Sequence, residues 1–363
     1  MEDMKEEKTG TKKHLKRAVI FVIAAALVFV YLNAVFTIAD SDSNKRIFNA
    51  FYAQEKDSID VVYFGTSATN RYFVAPEAYN DAGISSFDLA VMGMPLFFVT
   101  NLMDEVEKTQ SPSLYIIELR NVLKDKNDVT DAHIRRVTDS MRISANKYAA
   151  IEKALEYTDG ASGEKSNIDD GALDYYVPVI KYHGRLTEGD ISWRDFLLLR
   201  SKNETKGYVL TDKTLTQVSQ KEPVYSDDIG ELAPEMEETL EEILDACDER
   251  DADVLFVLSP YSMKAGEAEV FNKAISIVES RGYSVLNFNT PEMAETLELD
   301  WETDFYNSKH VNYLGAEKYT DYLTRYIAEN YELADHRGDD GYESWDDSYQ
   351  VYLDFISDGI IKN

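Results

Sequence analysis

The chain has 363 residues, 44% of them hydrophobic, which is enough to bury one large core or two modest ones. Its 67 acidic against 37 basic residues give a net charge of −30 and leave no general basic surface to neutralise phosphates, which excludes nucleic acid as a partner. The single cysteine, Cys247, excludes an intrachain disulfide and any Cys-rich metal site.

Residues 1–17 form a basic segment carrying Lys5, Lys8, Lys12, Lys13, Lys16 and Arg17. From Ala18 to Ala39 no charge occurs, and that length spans a bilayer as a helix. The basic flank before it, with Asp40 and Asp42 behind it, predicts a cytoplasmic N-terminus and an extracellular remainder on a single-pass anchor. A cleaved signal peptide is the alternative. The absence of disulfides agrees with a bacterial cell surface. Residues 40–54 read as a linker, and the stretch IFNAFYAQEK that begins within it has helical character.

A domain is expected over 55–333. Val61 to Phe64 is a short apolar run, as in a strand buried on both faces of a parallel sheet. It stops at Gly65, and Thr66 and Ser67 follow. Ser67 is either a nucleophile presented at the carboxyl edge of the sheet or a cap of the next helix. Pro76 and Gly83 mark Val74–Gly83 as loop with one turn of helix. Phe87–Val91 reads as a second strand ending near Gly93, residues 96–109 as an amphipathic helix, and SLYIIEL as a third strand running into Arg120 and Asn121.

Residues 124–234 read as an insertion of helices and loops covering the carboxyl edge of the sheet. Its Arg135, Arg136, His183 and Arg185 are expected in surface pairing with the many acids rather than in a pocket. Beyond it, Met236–Arg250 is a helix with Leu240, Ile243, Leu244 and Cys247 on one face, so Cys247 is a buried structural thiol. ADVLFVLSPY and YSVLNFN are strands separated by the helix AEVFNKAISIVESRG, and a loop then enters a long helix. Residues 334–363 form an acidic tail in which Trp345, Tyr349, Tyr352 and Phe355, at steps of 3–4, predict a helix packed on the outside of the domain. The alternation of elements predicts an α/β doubly wound sheet.

The loop Thr303–Gly315, TDFYNSKHVNYLG, supplies the second half of a site. His310 precedes a helix whose start is marked by Asn312 and Gly315, and Asp304 lies upstream. Acyl transfer needs a nucleophile, an imidazole base and an acceptor that orients the imidazole. His310 is the natural partner of Ser67, against the reading of a surface histidine that pairs locally. No metal or cofactor is expected, because His310 lacks a second histidine or acid cluster at ligand spacing and no phosphate-cradling glycine loop occurs.

A glycine–small–serine turn after the first strand, a glycine after the second, and a D-x-x-H-like loop followed by N-x-x-G-A resemble the SGNH/GDSL hydrolase superfamily. The closer resemblance is to its membrane-anchored bacterial branch, akin to the D-alanyl-lipoteichoic acid transfer protein and the alginate O-acetyltransferases. It covers Ile59 to about Asn330 and implies a flavodoxin-like three-layer SGNH-type fold. It further implies Ser67 as nucleophile, the Gly93 N–H as oxyanion donor and His310 as base. Two departures stand out. Asn307 occupies the place of the acid three residues before the histidine, so either Asp304 or Asn307 orients His310. The third motif of the family is absent, and either Asn121 or Arg120 supplies the side-chain oxyanion donor.

The resemblance implies a serine esterase or O-acyltransferase acting through an acyl-serine on a cell-wall or extracellular polysaccharide. The competing readings are a non-catalytic SGNH-like glycan-binding or accessory protein partnering a polytopic membrane acyltransferase, and a purely structural envelope protein whose Tyr175, Tyr176 and Tyr182 serve packing.

Overall fold

A computed structural model describes residues 2–37, 43–161, 172–210 and 221–361. The end of the expected span (38–39), the first part of the linker (40–42) and two stretches of the expected insertion (162–171 and 211–220) lie outside the described residues. The chain divides into two compact units: Met1–Asp40 with Gly171–Arg200, and Ser41–Asp170 with Ser201–Asn363.

The first unit contains α1 (Glu2–Phe36), and within it Lys12–Phe36 is long and apolar enough to cross a membrane, with a mean hydropathy of 2.7. A membrane anchor and a signal sequence both have this character. Short helices gather at its carboxyl end, and their elements are α7 (Leu173–Tyr176), α8 (Pro178–Tyr182), α9 (Arg185–Glu188) and α10 (Trp193–Phe196).

The second unit begins with α2 (Ser43–Phe51), so the expected linker is largely an ordered helix. Its Ile47, Phe48 and Phe51 are buried, and Phe51 packs edge-on against Phe87. A central sheet follows from β1 (Val61–Gly65), β2 (Ser86–Ala90), β3 (Leu114–Glu118), β4 (Asp253–Leu258) and β5 (Ser284–Asn287). All pairings are parallel and the order is β2-β1-β3-β4-β5. Every residue of β1, β2 and β3 is buried, which explains the apolar runs Val61–Phe64 and Leu114–Ile117; β2 also buries the polar Ser86 and Asp88.

Helices cover both faces of the sheet. On one face, α3 (Ala75–Ala82), α14 (Tyr313–Asn330) and α15 (Glu343–Ile361) join Val61, Tyr63, Ile116 and Val257 in one apolar cluster. Elsewhere α4 (Val99–Val106), α6 (Ala145–Tyr157), α11 (Pro234–Asp248) and α12 (Glu267–Ser280) pack together, with Leu240, Ile243, Leu244 and Cys247 inside. Burial pushes the Cys247 thiol up to about 12, as expected of an inert structural cysteine.

Three details differ from the sequence reading. Residues 74–83 form a two-turn helix, because Pro76 lies in the first turn, where no N–H is needed, and Gly83 closes the end with φ +73°. The 124–234 stretch is not one insertion. Its first part, including α5 (Asp131–Thr138) and α6, belongs to the sheet unit, while 172–200 belongs with α1. In α15, Trp345 and Tyr352 are buried, but Phe355 stands exposed.

Candidate active site

In the order β2-β1-β3 the sheet reverses direction of growth at β1, and a crevice opens outside the carboxyl ends of β1 and β3. Ser67 follows β1 and Arg120 and Asn121 follow β3, so the topology delivers all three to one crevice. The resulting cleft of about 430 Å³ is lined by Ser67, Gly93, Arg120, Asn121, Lys124, His133 and His310, among others.

The turn after β1 explains how Ser67 becomes available. The Thr66 carbonyl accepts from the N–H groups of Thr69 and Asn70, and the Thr66 hydroxyl accepts from the Ala68 N–H. Thr66 thus does the capping, and the Ser67 hydroxyl is free to face the cleft. Gly65 permits this turn: a Cβ there would strike the Thr69 hydroxyl and the Glu118 Cβ.

The Ser67 Oγ lies 2.8 Å from the His310 Nε2. Behind the ring, the His310 Nδ1 lies 3.0 Å from the Asn307 Oδ1. The same oxygen accepts from the Lys309 backbone N–H at 2.9 Å, and a backbone N–H can only donate. The amide oxygen therefore faces the ring, Nδ1 carries the proton and donates, and Nε2 presents its lone pair to the serine hydroxyl. A tight hairpin creates this placement. Strands β6 (Phe305–Asn307) and β7 (His310–Val311) pair antiparallel with Asn307 opposite His310, so residues three apart become cross-strand neighbours.

Asp304 takes no part in this contact. Its carboxylate pairs with Lys318 at 2.7 Å and accepts from the Asp300 N–H and the Thr303 hydroxyl. Its role is to tie the loop to α14, whose start is capped by Asn312. Of the two orienters open from sequence, only Asn307 reaches the imidazole.

Arg120 is similarly committed. Its guanidinium donates to the carbonyls of Lys309, Ser259 and Pro260 and to the Tyr72 hydroxyl, and lies 4.4 Å from the centre of the Tyr261 ring. It clamps the His310 loop onto the β4 end. Asn121 donates its amide to the Met94 carbonyl. By contrast, the backbone N–H groups of Ser67 and Gly93 have no protein acceptor among the described residues. Gly93 has φ +70°, and a Cβ there would come within 2.7 Å of the His133 Nε2.

Burial foremost, then the charges of Arg120, Arg71 and Lys309, pull the His310 pKa down to about 3. With an amide in place of a carboxylate behind Nδ1, nothing compensates. The imidazole is a neutral base throughout the physiological range.

Two residues of the site escaped the sequence reading. His133 faces Gly93 across the cleft, and burial with Lys124 and Arg136 nearby pulls its pKa down to about 4. Its sequence signal is T-x-x-H at a helix start: Thr130 caps α5 and the His133 Nδ1 accepts from the Thr130 N–H. Glu118, behind the cleft at the end of β3, accepts from the backbone N–H groups of Arg120 and Ser259 and from the Tyr63 hydroxyl, tying the ends of β3 and β4 to the middle of β1. Burial raises its pKa. Of the basic residues set aside as surface groups, Arg135 pairs with Asp131 and Arg136 donates to the Met92 carbonyl, whereas His183 and Arg185 belong to the α1 unit.

Among the described residues no cluster of His, Cys, Asp and Glu has a metal-holding arrangement. Comparison with family models and with curated proteins gives no match for this chain.

Proposed function

We propose that this chain is a serine esterase or O-acyltransferase with a flavodoxin-like, SGNH-type sheet domain, tethered outside a bacterial membrane by α1 and acting on a cell-envelope glycan. The observation that carries the reading is the Ser67–His310–Asn307 relay, with a free imidazole lone pair 2.8 Å from a serine oxygen in an open cleft.

The Ser67 Oγ gives its proton to the His310 Nε2 and attacks the ester carbonyl carbon. The oxyanion so formed is held by the N–H groups of Ser67 and Gly93, which lack other acceptors. Asn121 and Arg120, whose amide and terminal guanidinium nitrogens already donate to backbone carbonyls, are weaker candidates for that role. Collapse expels the alcohol, which takes the proton back from Nε2, and leaves an acyl-Ser67. Water or a glycan hydroxyl then attacks the acyl carbon, gives its proton to Nε2, and Ser67 leaves reprotonated. Through both steps the Asn307 oxygen holds the Nδ1 proton and hence the tautomer.

One observation favours a second reading, a glycan-binding or accessory protein serving a polytopic acyltransferase. An imidazole held at about 3 with no carboxylate behind it is a weak base. Reaction with a fluorophosphonate decides between the two. The enzyme reading requires wild-type protein to gain one phosphonyl group by mass and Ser67→Ala to gain none; an unmodified wild type overturns it.

A further inference from the structure

The α1 unit has an unusual surface. Over 172–200 the side chains of Leu173, Ile180, Leu186, Trp193, Leu197 and Leu198 are exposed, with Trp193 at 66%. The far longer sheet unit exposes no more large apolar side chains than this short segment among its described residues, at Ile143, Tyr148, Val224, Tyr225, Ile229, Leu353 and Phe355. Scattered ones need no explanation, but a concentration in one short segment does.

The segment is fastened to one particular place, the carboxyl end of α1. The Arg185 guanidinium donates to the carbonyls of Phe36 and Thr37 at 2.8 and 2.9 Å. Arg200 donates to the Ala34 carbonyl at 2.6 Å, the Val179 N–H donates to the Asn33 side chain, and the Tyr31 hydroxyl donates to the Phe196 carbonyl. Asp195, almost fully buried, bonds Arg200 at 3.1 Å and neutralises charge beside Arg185. The last carbonyls of a helix have no partners of their own, and cations are favoured there. The segment is therefore the cap of α1, and without the helix the Arg185 and Arg200 guanidiniums would lose the Phe36, Thr37 and Ala34 carbonyls.

The lengths set where this cap lies. From Ala18 to Phe36 the uncharged helix measures about 28 Å at 1.5 Å per residue, close to the hydrocarbon thickness of about 30 Å. With Arg17 at one headgroup layer, Phe36 and Thr37 reach the other. Tyr31, five residues earlier, sits about 7 Å deeper, within the ~5–10 Å that interfacial helices penetrate. The segment that carries the exposed apolar side chains is thus fastened to the part of the chain, residues 31–37, that these lengths place where hydrocarbon meets headgroups.

We infer that residues 172–200 form an interfacial platform, immersed in the leaflet at the carboxyl end of α1, whose occupant is the lipid bilayer itself. This rests on α1 being a retained anchor, which the cap supports: a helix whose end completes a folded unit is not a disposable leader. Trp193 and the leucines enter the acyl boundary, while Arg185 and Arg200, with Asp195 between them, seal the carbonyls of the helix from it.

The test uses the full chain in vesicles of phosphatidylcholine and phosphatidylglycerol. Cys247 is buried and its thiol is pushed up to about 12, so a cysteine introduced elsewhere is labelled selectively. An environment-sensitive fluorophore at Leu197→Cys or Leu186→Cys is expected to shift to the blue. Lipids carrying a quencher near the headgroup should quench it several-fold more than lipids quenched at the acyl terminus, and Ile143→Cys should show neither effect. Vesicle flotation after alkaline extraction is read on the same samples. Protein that floats but whose Leu197 label remains as solvent-exposed as that at Ile143 overturns the platform alone. Protein that fails to float overturns the anchor, and the platform with it.

Discussion

Asn307→Asp gives the sharpest test of how the relay works. The substitution keeps size and hydrogen-bonding oxygens but places a negative charge where the amide oxygen lies 3.0 Å from the His310 Nδ1. Two unit charges about 4 Å apart interact by about 4 kcal/mol at an effective dielectric of about 20. At about 1.4 kcal/mol per unit this bounds the shift at about 3 pKa units, and neighbouring opposite charges typically give about 1–3. The His310 pKa, about 3 in the native protein, should therefore rise to about 4–6. The Lys309 N–H, already bound to this side chain, and the flanking Arg120 and Lys309 charges stabilise the new carboxylate. A stronger base nearer the operating pH transfers a proton more readily, so the plateau rate of Ser67 phosphonylation should increase by about tenfold. The assay is the second-order rate of fluorophosphonate labelling from pH 4 to 9, with the His310 ring protons followed by NMR. In wild type the rate should be insensitive to His310 protonation down to the lowest pH measured; in the variant an acid limb should appear at about pH 4–6. A variant whose His310 titration does not move, or whose plateau rate falls, would refute the assignment of Asn307 as the group that governs this base.

Three further outcomes follow from the contacts. Asp304→Asn breaks the Lys318 pair and should cost about 1–3 kcal/mol of stability by thermal or urea unfolding. Its labelling rate at 25 °C should nonetheless stay within about a factor of two of wild type, since loss of an orienting group would cost orders of magnitude. Gly93→Ala forces a side chain into a left-handed conformation and against His133, so both stability, by about 1–2 kcal/mol, and labelling should drop. His310 and His133 both bind a proton less tightly folded than unfolded, with folded values of about 3 and about 4 against an ordinary 6.5. Their contribution to stability is complete above pH 6.5 and is lost as pH falls through 4 and then 3. Urea midpoints should decline over that window, and His133→Gln should flatten the part above pH 4.

Much of the architecture was legible because buried parallel strands cannot be mistaken for amphipathic ones. Val61–Phe64 and Leu114–Ile117 are unbroken apolar runs within stretches that read as strands, and both are buried throughout. Legibility failed where one residue type has two positional meanings. Pro76 suggested a loop but starts α3, since a proline in the first turn of a helix surrenders no hydrogen bond. It failed again over 172–200, where helices of four or five residues are too short to show a periodic signal and their leucines stand exposed.

The site divides along the same line. Composition and order along the chain determined that a serine follows the first strand, a histidine precedes a long helix near the end, and an uncharged segment follows a basic one at the start, because each is a local property. Which side chain stands behind His310 is not local. Asp304 and Asn307 both precede the histidine by a few residues, and a carboxylate is the better orienter by charge alone. Only the folded chain decides it: a two-residue turn pairs Asn307 with His310, while α14 brings Lys318 against Asp304 and holds it elsewhere. The same folding carries Arg120 away from the reacting centre into a clamp on three carbonyls and brings His133 against Gly93. Distances between residues far apart in sequence are set by packing, and packing is what the order of residue types along a chain leaves open.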